Sequence, residues 1–391
     1  MSNLTIIGAG AAGMSAAISA SMANPDMRIP ARGQRSRESG ERGAFLHITV
    51  FDQHVRVGKK LARTGNGRCN IMNVGDISGA YRGDAAFAQH VIRSADTGAF
   101  LRSIGLVLAE ENGGRIYPAS KRAGGVIDAL RFQLEGRGVE VRLEVVESVV
   151  RNDDSFVINN SHKADKVIIA TGGKAGILPC DATGYSFLSG FGHAITRLAP
   201  ALTHVNVQPM CITGLKGVRL DCEASLLRKD MVIYKEEGEI IFGDSSISGI
   251  PVMNLSRLVE DEDTLAIDMF PRHTAEELTS VMQSAFEYVP DIEKVLCGLI
   301  HPRIAKIVHP PSLKNWRIPI MPNKHDFTRA QVTAGGVSCA EFSPDTMESR
   351  RVRGLYAAGE VLDVDGICGG FNLMFAFASG ILAGRNAGRH E

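Results

Sequence analysis

The sequence reads LTIIGAGAAG over residues 4–13, an apolar stretch that runs into a glycine-rich turn and then an alanine-rich segment. A strand, a Gly-x-Gly-x-x-Gly turn and a helix in this order are typical of a dinucleotide-binding unit, because glycine allows the tight turn and the close approach of the backbone to a pyrophosphate. The free N–H groups at the start of the helix favour phosphate binding. The stretch therefore predicts a nucleotide site at Gly8, Gly10, Ala11, Ala12 and Gly13.

Composition limits the class of protein and its surroundings. The chain has 391 residues, with 43 lysines and arginines against 43 aspartates and glutamates. A formal net charge of zero gives no overall field that would attract nucleic acid or an anionic membrane, and the length predicts more than one domain. No apolar run is long enough to cross a bilayer, and the N-terminus lacks the pattern of a signal peptide. Seven cysteines without a CxxC pair indicate reduced thiols in the cytoplasm, and the cysteine and histidine spacing predicts no metal site.

A second strand is predicted at residues 47–51 and is followed by Asp52. In this type of unit an acidic residue at that strand end binds the ribose hydroxyls, about 20 residues after the glycines. Here the interval from Gly13 to Asp52 is 39 residues. The excess lies at 27–44, which is rich in Arg, Gly, Ser and Glu and has no periodic apolar face. We expect a mobile surface insertion there, with an RNA-contacting arm as the alternative because the segment holds five arginines.

Three later segments repeat the combination of strand, glycine and small residues. Residues 57–70 read VGKKLARTGNGRCN and suit a cradle for phosphate and flavin. Residues 166–173 read KVIIATGG and predict a buried strand whose end lets the backbone pass close to a ligand. Residues 354–360 read GLYAAGE, and GGFNL at 369–373 opens an apolar helix whose N-terminus can stabilise negative charge on a reduced cofactor.

The pattern changes in the middle of the chain. Short β-type runs at 204–210, 231–234, 239–242 and 265–269 predict an inserted β-rich domain. Thr274, followed by Glu276 and Glu277, predicts a capped helix. We therefore expect four segments, of which the first and last form one nucleotide-binding domain and the third is a small helical subdomain: 1–198, 199–272, 273–325 and 326–391.

Several long motifs occur in a fixed order: GAGAAG, RVGKKLARTGNGRCNIMN, GEIIFGDSSISGIPVMNLSR and VTAGGV followed by GLYAAGEVLDVDGICGGFNLMFAFASG. In this order they resemble the BaiN-type, aminoacetone-oxidase-like (YhiN-like) family of bacterial NAD(P)/FAD-dependent flavoproteins. The resemblance covers almost the whole chain apart from the arginine-rich insertion. It implies an α/β fold, in which a Rossmann-type, glutathione-reductase-like FAD-binding domain is split in sequence and carries an inserted β-barrel-like domain and a small helical domain.

The resemblance also implies an FAD site. The residues that it assigns are Gly8, Gly10 and Gly13 for the pyrophosphate, Asp52 for the ribose, Lys60, Gly67, Arg68, Cys69 and Asn70 for the phosphate and flavin side, Val146 for adenine, Thr171 and Gly172 for close approach to the cofactor, and Gly359, Glu360, Gly370, Phe371, Asn372 and Leu373 around the ribityl chain and isoalloxazine. Arg68 has two uses, of which the flavin side is favoured over an anionic substrate. Cys69 and Cys368 are expected to be structural thiols, with a redox pair as the alternative.

The leading hypothesis for function is an FAD-dependent oxidoreductase that reduces a C=C bond of a small molecule with electrons from NAD(P)H. A single Gly-x-Gly-x-x-Gly turn is present, so the nicotinamide is expected to dock transiently rather than on a second Rossmann module. The alternatives are a flavin-dependent uridine reductase acting on ribosomal RNA, an amine oxidase, and a non-enzymatic flavin redox sensor. Nucleic acid as a partner is not favoured, and the sequence assigns neither a catalytic acid or base nor an oligomeric state.

Overall fold

The computed structural model describes residues 2–24, 46–176, 183–321 and 326–389. The insertion predicted at 27–44 lies outside the described residues. The chain divides into two compact units, the first made of Met1–Leu198 with Val332–Glu391 and the second of Ala199–Gln331. The four-segment division drawn from the sequence stays a prediction.

The part of the chain before residue 199 combines short strands with helices. Its strands are β1 (Ser2–Ile7), β2 (Leu46–Phe51), β3 (Met72–Asn73), β4 (Tyr81–Gly83), β5 (Leu108–Glu111), β6 (Arg115–Pro118), β7 (Glu140–Arg142), β8 (Val149–Asn152), β9 (Ser155–Ile158), β10 (His162–Ala164) and β11 (Lys166–Ile169). The helices of this part are α1 (Ala11–Met22), α2 (Ala85–Ser94), α3 (Thr97–Ser103), α4 (Ala123–Gly136) and α5 (Thr183–Gly190), with a 3₁₀ segment at Leu61–Gly67.

The second unit and the returning chain follow. The strands of the second unit are β12 (Ala199–Ala201), β13 (Val205–Asn206), β14 (Arg219–Arg228), β15 (Met231–Phe242), β16 (Ser246–Gly249), β17 (Thr264–Asp268) and β18 (Trp316–Pro319). Its helices are α6 (Ile250–Leu255), α7 (Ala275–Phe286), α8 (Ile292–Cys297) and α9 (Pro302–Ala305), with 3₁₀ turns at Pro209–Cys211, Ser256–Leu258 and Pro310–Leu313. The first unit resumes with β19 (Val332–Ala334), β20 (Leu355–Ala357), β21 (Val364–Gly366) and α10 (Phe371–Ala387), and with 3₁₀ turns at Cys339–Glu341 and Gly359–Val361.

A parallel sheet organises the first unit. Its order among the described residues is β20-β11-β1-β2-β7, and every neighbouring pair is parallel. Parallel strands that are covered on both faces read as continuous apolar runs, which is how β1 and β11 read. The edge strand β20 pairs with β11 through Val167 and Leu355, so residues from the two ends of the chain complete one sheet. The predicted α/β Rossmann fold, split in sequence, is confirmed.

Helices α1 and α10 pack with their backbones in close contact. A Cβ atom placed on Gly380 or Gly384 would overlap the carbonyl oxygen of Ala12 or Ala16, respectively, and one on Gly388 would lie 2.7 Å from the carbonyl oxygen of Ala20. These positions recur every fourth residue on both helices, so they form one face on each. Small residues on both faces let the two helices approach far more closely than ordinary side chains would allow.

The second unit is built around an antiparallel sheet. The described strands follow the order β13-β16-β15-β14-β17-β18, and each pair is antiparallel. The two outer strands also meet, because Val207 and Ile320 form a bridge and the Gln208 N–H donates to the Pro319 carbonyl at 3.1 Å. The sheet therefore closes into a barrel, as the resemblance implied.

The helices predicted after residue 273 pack on this barrel. Thr274 and Glu277 form a capping box at the start of α7, which is the N-terminus expected from the sequence. The apolar side chains of Leu278, Leu296 and Ile304 belong to the same hydrophobic cluster as the strand residues of the barrel. Residues from Val205 to Ile320 thus contribute to one core in the structure.

A buried polar network joins the segment just after α5 to the returning chain of the first unit. The Nδ1 atom of His193 lies 2.7 Å from Oε2 of Glu341, and its Nε2 atom lies 3.0 Å from the hydroxyl of Ser349. That hydroxyl accepts the N–H groups of Arg351 and Val352, so it donates its own proton to the imidazole. All hydrogen-bonding positions of the Ser349 hydroxyl are therefore used. We interpret His193, Glu341 and Ser349 as a structural link, and not Ser349 as a nucleophile.

The close contact of α1 with α10 predicts a large effect of one added methyl group. Gly384→Ala is expected to lower the free energy of unfolding by about 2–3 kcal/mol, because the two backbones must separate to admit Cβ. Gly136→Ala is the control, since a Cβ at this exposed helical position meets no atom within 4 Å and is expected to be neutral or to stabilise by up to about 1 kcal/mol. Urea denaturation measures both, and equal effects of the two changes would contradict this packing.

The network predicts a pH dependence of stability. Burial lowers the pKa of His193 below its usual 6.5, although its hydrogen bond to Glu341 acts in the opposite direction. The imidazole of His193 is therefore protonated at a higher pH in the unfolded chain than in the folded chain. Its contribution to the free energy of unfolding is complete above pH 6.5 and is lost as the pH falls. His193→Gln is expected to be less stable than the wild type at pH 8, with the gap narrowing towards pH 5. Parallel stability curves for the two proteins would show that His193 does not contribute in this way.

Candidate functional site

The glycine-rich turn after β1 lies at the centre of the parallel sheet. Gly8 has a φ of +108°, and its N–H donates to the carbonyl of Phe51 at 2.7 Å, which ties the turn to the end of β2. A Cβ on Gly8 would overlap the carbonyl of Ala170, and one on Gly13 would overlap the carbonyl of Gly8. A Cβ on Gly10 meets no described atom within 4 Å. Two of the glycines therefore permit packing, and the third leaves open space in front of the turn.

The N-terminus of α1 faces this turn. Gly10 precedes the helix without a side-chain cap, and the first internal bond runs from the Met14 N–H to the Gly10 carbonyl. The N–H groups of Ala11, Ala12 and Gly13 precede that bond and have no partner within the helix. Free N–H groups together with the positive end of the helix dipole make a site for phosphate. The geometry fits the predicted pyrophosphate contact.

Asp52 lies beside the same turn at the end of β2. Its Oδ2 atom accepts the N–H of Ala9 at 2.8 Å, and its Oδ1 atom accepts the N–H of His54 at 2.8 Å. A carboxylate oxygen has a second lone pair, so each can still accept a ribose hydroxyl. The structure thus fixes the carboxylate next to the glycines although 39 residues separate Gly13 from Asp52.

The predicted cradle loop folds back onto the glycine-rich turn. The Gly58 N–H donates to the Ala9 carbonyl at 2.9 Å, and the 3₁₀ segment Leu61–Gly67 follows. A Cβ on Gly67 would enter open space. Cys69 is fully buried, and burial raises the pKa of its thiol to about 11 against the opposing hydrogen bond with Thr64. A neutral thiol disfavours the alternative of a redox pair with Cys368, because the thiolate is the reactive form.

The C-terminal glycine loop meets the cradle loop at the start of α10. Gly370 precedes the helix with a φ of +101°, and a Cβ there would lie 2.6 Å from the Met72 carbonyl oxygen and 2.7 Å from Oδ1 of Asn70. The side-chain amide of Asn372 accepts the N–H of Gly366 and donates to its carbonyl, both at 2.8 Å. The loop before α10 is therefore held rigidly against the segment that contains Asn70.

Glu360 connects three segments of the first unit. Its Oε2 atom lies 2.6 Å from Nζ of Lys60, and its Oε1 atom accepts the N–H of Thr333 at 2.9 Å. A Cβ on Gly173 would lie 2.6 Å from the same Oε1 atom, so the predicted strand end ATGG passes directly beside this carboxylate. The hydroxyl of Thr333 accepts the N–H of Ala175 at 2.9 Å. Glu360 thus brings the cradle loop, the ATGG segment and β19 together.

Two buried side-chain atoms of the predicted site lack a hydrogen-bond partner among the described residues. They are Oδ1 of Asn70 and Oγ1 of Thr171. Leaving a buried polar atom unsatisfied costs roughly 1–3 kcal/mol, so such atoms in a glycine-lined cradle indicate a ligand. Open space in front of Gly10, Gly67 and Gly172 supplies the room. The residues present therefore fit FAD.

The predicted site residues fall into two groups of contacts. The glycine-rich turn with Asp52 forms the first, and the second holds Lys60 with Glu360 and Asn70 with Gly370. Phe371 and Leu373 lie in the first turn of α10, and Gly172 follows β11. Val146 is buried in the loop after β7, two strands away from β1 in the sheet, and its role at adenine stays a prediction.

Four further side chains hold this site and were missed in the sequence. Ser379 accepts the N–H of Gly359 at 2.9 Å, and Tyr81 donates to the carbonyl of Phe371 at 2.8 Å. The other two are Thr333, described above, and Asn73. Thr333 lies within the quoted motif VTAGGV, where a polar residue before two glycines was the available signal.

Comparison with known proteins places the chain in a family. A family model described as HI0933-like protein Rossmann domain matches residues 2–386. A relative from Clostridium scindens, a 3-dehydro-bile acid delta(4,6)-reductase, is 34% identical and is aligned over 99% of this chain and 99% of its own length. A ribosomal RNA dihydrouridine synthase from Haemophilus influenzae is 25% identical over 85% of this chain and 90% of its own length.

A solved structure supports the fold. The open conformation of a flavocytochrome c3 fumarate reductase superposes with a TM-score of 0.50 at 16% identity, covering 99% of this chain and 78% of that one. Within the part of the chain that is described, no helix combines the length and apolar character needed to span a membrane. Since the family model spans nearly the whole chain and the Clostridium relative is 34% identical along it, the chain belongs to the HI0933-like Rossmann family and is an FAD-dependent oxidoreductase.

Proposed function

We propose that the protein uses NAD(P)H to reduce a conjugated C=C bond in a small molecule. The observation that carries this proposal is a set of free groups in the first unit, namely the open N–H groups at the start of α1 and the buried, unsatisfied Asn70 and Thr171 atoms, together with open space in front of Gly10, Gly67 and Gly172. FAD, when bound, supplies hydride transfer at its isoalloxazine ring. The Clostridium relative, named for reduction of double bonds, supports the choice of reaction.

The residues of the chain have separate roles in this proposal. Ala11, Ala12 and Gly13 bind the pyrophosphate through their N–H groups, and Asp52 binds the adenosine ribose. The start of α10, preceded by Gly370, presents a second helix N-terminus that stabilises negative charge. We assign Lys60 to the flavin side of the site, where Oε2 of Glu360 lies 2.6 Å from its Nζ atom and holds it in place.

The electron donor in this proposal is a nicotinamide that docks without a Rossmann module of its own. The chain has one Gly-x-Gly-x-x-Gly turn, and the proposal assigns that turn to FAD. We propose a substrate of the kind that the relative's name indicates, a 3-oxo steroid with a conjugated double bond. We propose that the reaction takes place in the cytoplasm of a bacterium. In support, no disulfide links the cysteines that the structure describes, as is typical of a reducing compartment.

A second candidate is reduction of uridine in ribosomal RNA. Two relatives named ribosomal RNA dihydrouridine synthase, at 25% and 26% identity, favour it. Charge opposes it in the second unit, because residues 199–331 contain 14 lysines and arginines against 18 aspartates and glutamates. An acidic unit repels the phosphate backbone on which RNA affinity depends.

Anaerobic stopped-flow spectroscopy tests the proposed function. The FAD-loaded protein is mixed with NADH or NADPH, and the visible flavin band is expected to bleach with at least one of them. A 3-oxo-4-ene steroid is then expected to restore the band, because the reduced cofactor passes its hydride to the C=C bond. Recovery with a uridine-containing RNA and not with the steroid would favour the second candidate. Absence of bleaching with FAD bound would contradict NAD(P)H as the donor.

The open space in front of Gly10 predicts a selective loss of FAD. Gly10→Ala places a methyl group where the pyrophosphate is expected, so we expect FAD affinity to fall by about tenfold or more. The apoprotein is expected to keep its stability within about 0.5 kcal/mol, since the new Cβ meets no described atom within 4 Å. Titration of apoprotein with FAD, followed by flavin fluorescence, measures the first effect, and thermal unfolding measures the second. Gly136→Ala serves again as the control, and unchanged FAD affinity of Gly10→Ala would place the pyrophosphate elsewhere.

A further inference from the structure

The hairpin β5–β6 carries charged side chains on one face. Its register pairs Ala109 with Tyr117 and Glu111 with Arg115. Side chains at alternate positions share a face of a strand, so Glu111, Arg115 and Tyr117 point to the same side. Arg68 of the cradle loop and Lys121, just after β6, reach this side as well. We call these five residues the hairpin face.

Two cations on the hairpin face share one carboxylate oxygen. Arg68 Nη2 and Lys121 Nζ each lie 2.6 Å from Oε1 of Glu111. The guanidinium of Arg68 also lies over the ring of Tyr117, with its Cζ atom 4.6 Å from the ring centroid. A single negative charge between two positive ones leaves an excess of one cation, before Arg115 is counted. This excess attracts an anion.

The side chains of the two ion pairs on the hairpin face are accessible to solvent. The side chains of Arg68, Glu111 and Lys121 are 41%, 29% and 52% exposed. The hydrogen bond from Lys121 is the main cause that lowers the pKa of the Glu111 carboxyl, and the nearby charge of Arg68 lowers it further. Glu111 therefore competes as an anion with any ligand that binds to these cations at neutral pH.

The hairpin face adjoins the cofactor cradle. Asn73 donates from Nδ2 to the carbonyl of Gly113, in the turn of the hairpin, at 3.1 Å, and to the carbonyl of Gly369, in the loop before α10, at 3.0 Å. Arg68 itself follows Gly67, whose missing side chain leaves open space. A molecule held on the hairpin face would therefore be next to the predicted flavin side of the site.

We propose that Arg68 and Lys121 form a subsite for a carboxylate of the substrate, with Glu111 as a placeholder that this carboxylate displaces. An arginine binds a carboxylate with two parallel hydrogen bonds, and stacking on Tyr117 holds the guanidinium ready for it. The inference rests on the proposed function, because it names a chemical group of the substrate whose double bond is reduced. It assigns Arg68 to the substrate, which was the less favoured use from the sequence.

FAD and RNA account less well for the same charges. The negative charge of oxidised FAD lies on its pyrophosphate, for which the N-terminus of α1 already provides N–H groups, and the start of α10 serves the charge of the reduced cofactor. RNA affinity is built from many phosphate contacts, whereas the hairpin face offers three cations, two of which share one oxygen of Glu111. One carboxylate on an otherwise apolar molecule matches this small excess of charge.

Binding of cholate to the FAD-loaded protein tests the subsite. Cholate is a steroid carboxylate without a C=C bond, and its binding is followed by the change in the visible flavin spectrum. Lys121→Gln is expected to weaken cholate binding by about tenfold, since a hydrogen bond to a charged group is lost. Glu111→Gln is expected to strengthen binding by about threefold, because the competing carboxylate is removed. The methyl ester of cholate is expected to respond to neither change.

Arg131→Gln is the matched control. Its side chain is 42% exposed and contacts two carboxylates, those of Asp128 and Glu135, on the outside of α4. We expect cholate binding to stay unchanged in this variant. Loss of general surface charge alone would instead weaken binding in Arg131→Gln as much as in Lys121→Gln, and that result would overturn the subsite.

The direction of the Glu111→Gln effect separates a binding site from a structural brace. If Glu111 only braces Arg68 and Lys121, its loss weakens cholate binding, and the proposal is wrong. Failure of cholate to bind while a short RNA oligonucleotide binds and depends on Lys121 also overturns it. Cholate binding needs no turnover. If the flavin band fails to respond in the stopped-flow experiment while cholate binding changes in the variants as expected, the proposed reaction is rejected and the subsite is retained.

Discussion

The backbone contact between α1 and α10 is the constraint on which the first unit depends. Glycines at every fourth position of α10 lie against alanines at every fourth position of α1, with Gly384 facing Ala16 at the centre. One helix begins at the glycine-rich turn near the N-terminus, and the other begins at the glycine loop near the C-terminus. Because the two helices run side by side in the same direction, the loops that open them are held at fixed positions in one unit, with the start of α10 about 13 Å beyond the start of α1. The absence of side-chain bulk at this contact is therefore as important for the site as the polar residues in it.

The cradle is built mainly from backbone, with a few side chains that fix its loops. N–H groups at the start of α1 provide the phosphate site, while Asp52 and Glu360 hold neighbouring segments through hydrogen bonds. Asn73 and Asn372 each bond to backbone groups, and they order the loop before α10. Loops that are already ordered lose little conformational entropy when a cofactor binds, which favours binding.

Much of the first unit was predictable, because glycine-rich turns after apolar strands are local signals. The strand at Lys166–Ile169 agrees with the structure, and in the second unit the capped start of α7 does so as well. The second unit was harder. Strand β14 (Arg219–Arg228) alternates small apolar residues such as Cys222 and Ala224 with charged ones, a weak signal, and β15 is one strand where two runs were expected. Gly238 in this strand packs against Pro251 of α6, a contact between two elements that no local pattern reveals. The pairing of Glu111 with both Arg68 and Lys121 is long-range in the same way.

The central claim is that the two ends of the chain build one FAD site. Equilibrium titration of the apoprotein with FAD, followed by flavin fluorescence and checked by the FAD-to-protein ratio after gel filtration, tests it most directly. We expect tight binding that saturates at one FAD per chain and raises the thermal stability of the protein, since a ligand that binds only the folded state stabilises it. A folded protein that binds no FAD and whose unfolding temperature is indifferent to it would contradict the account.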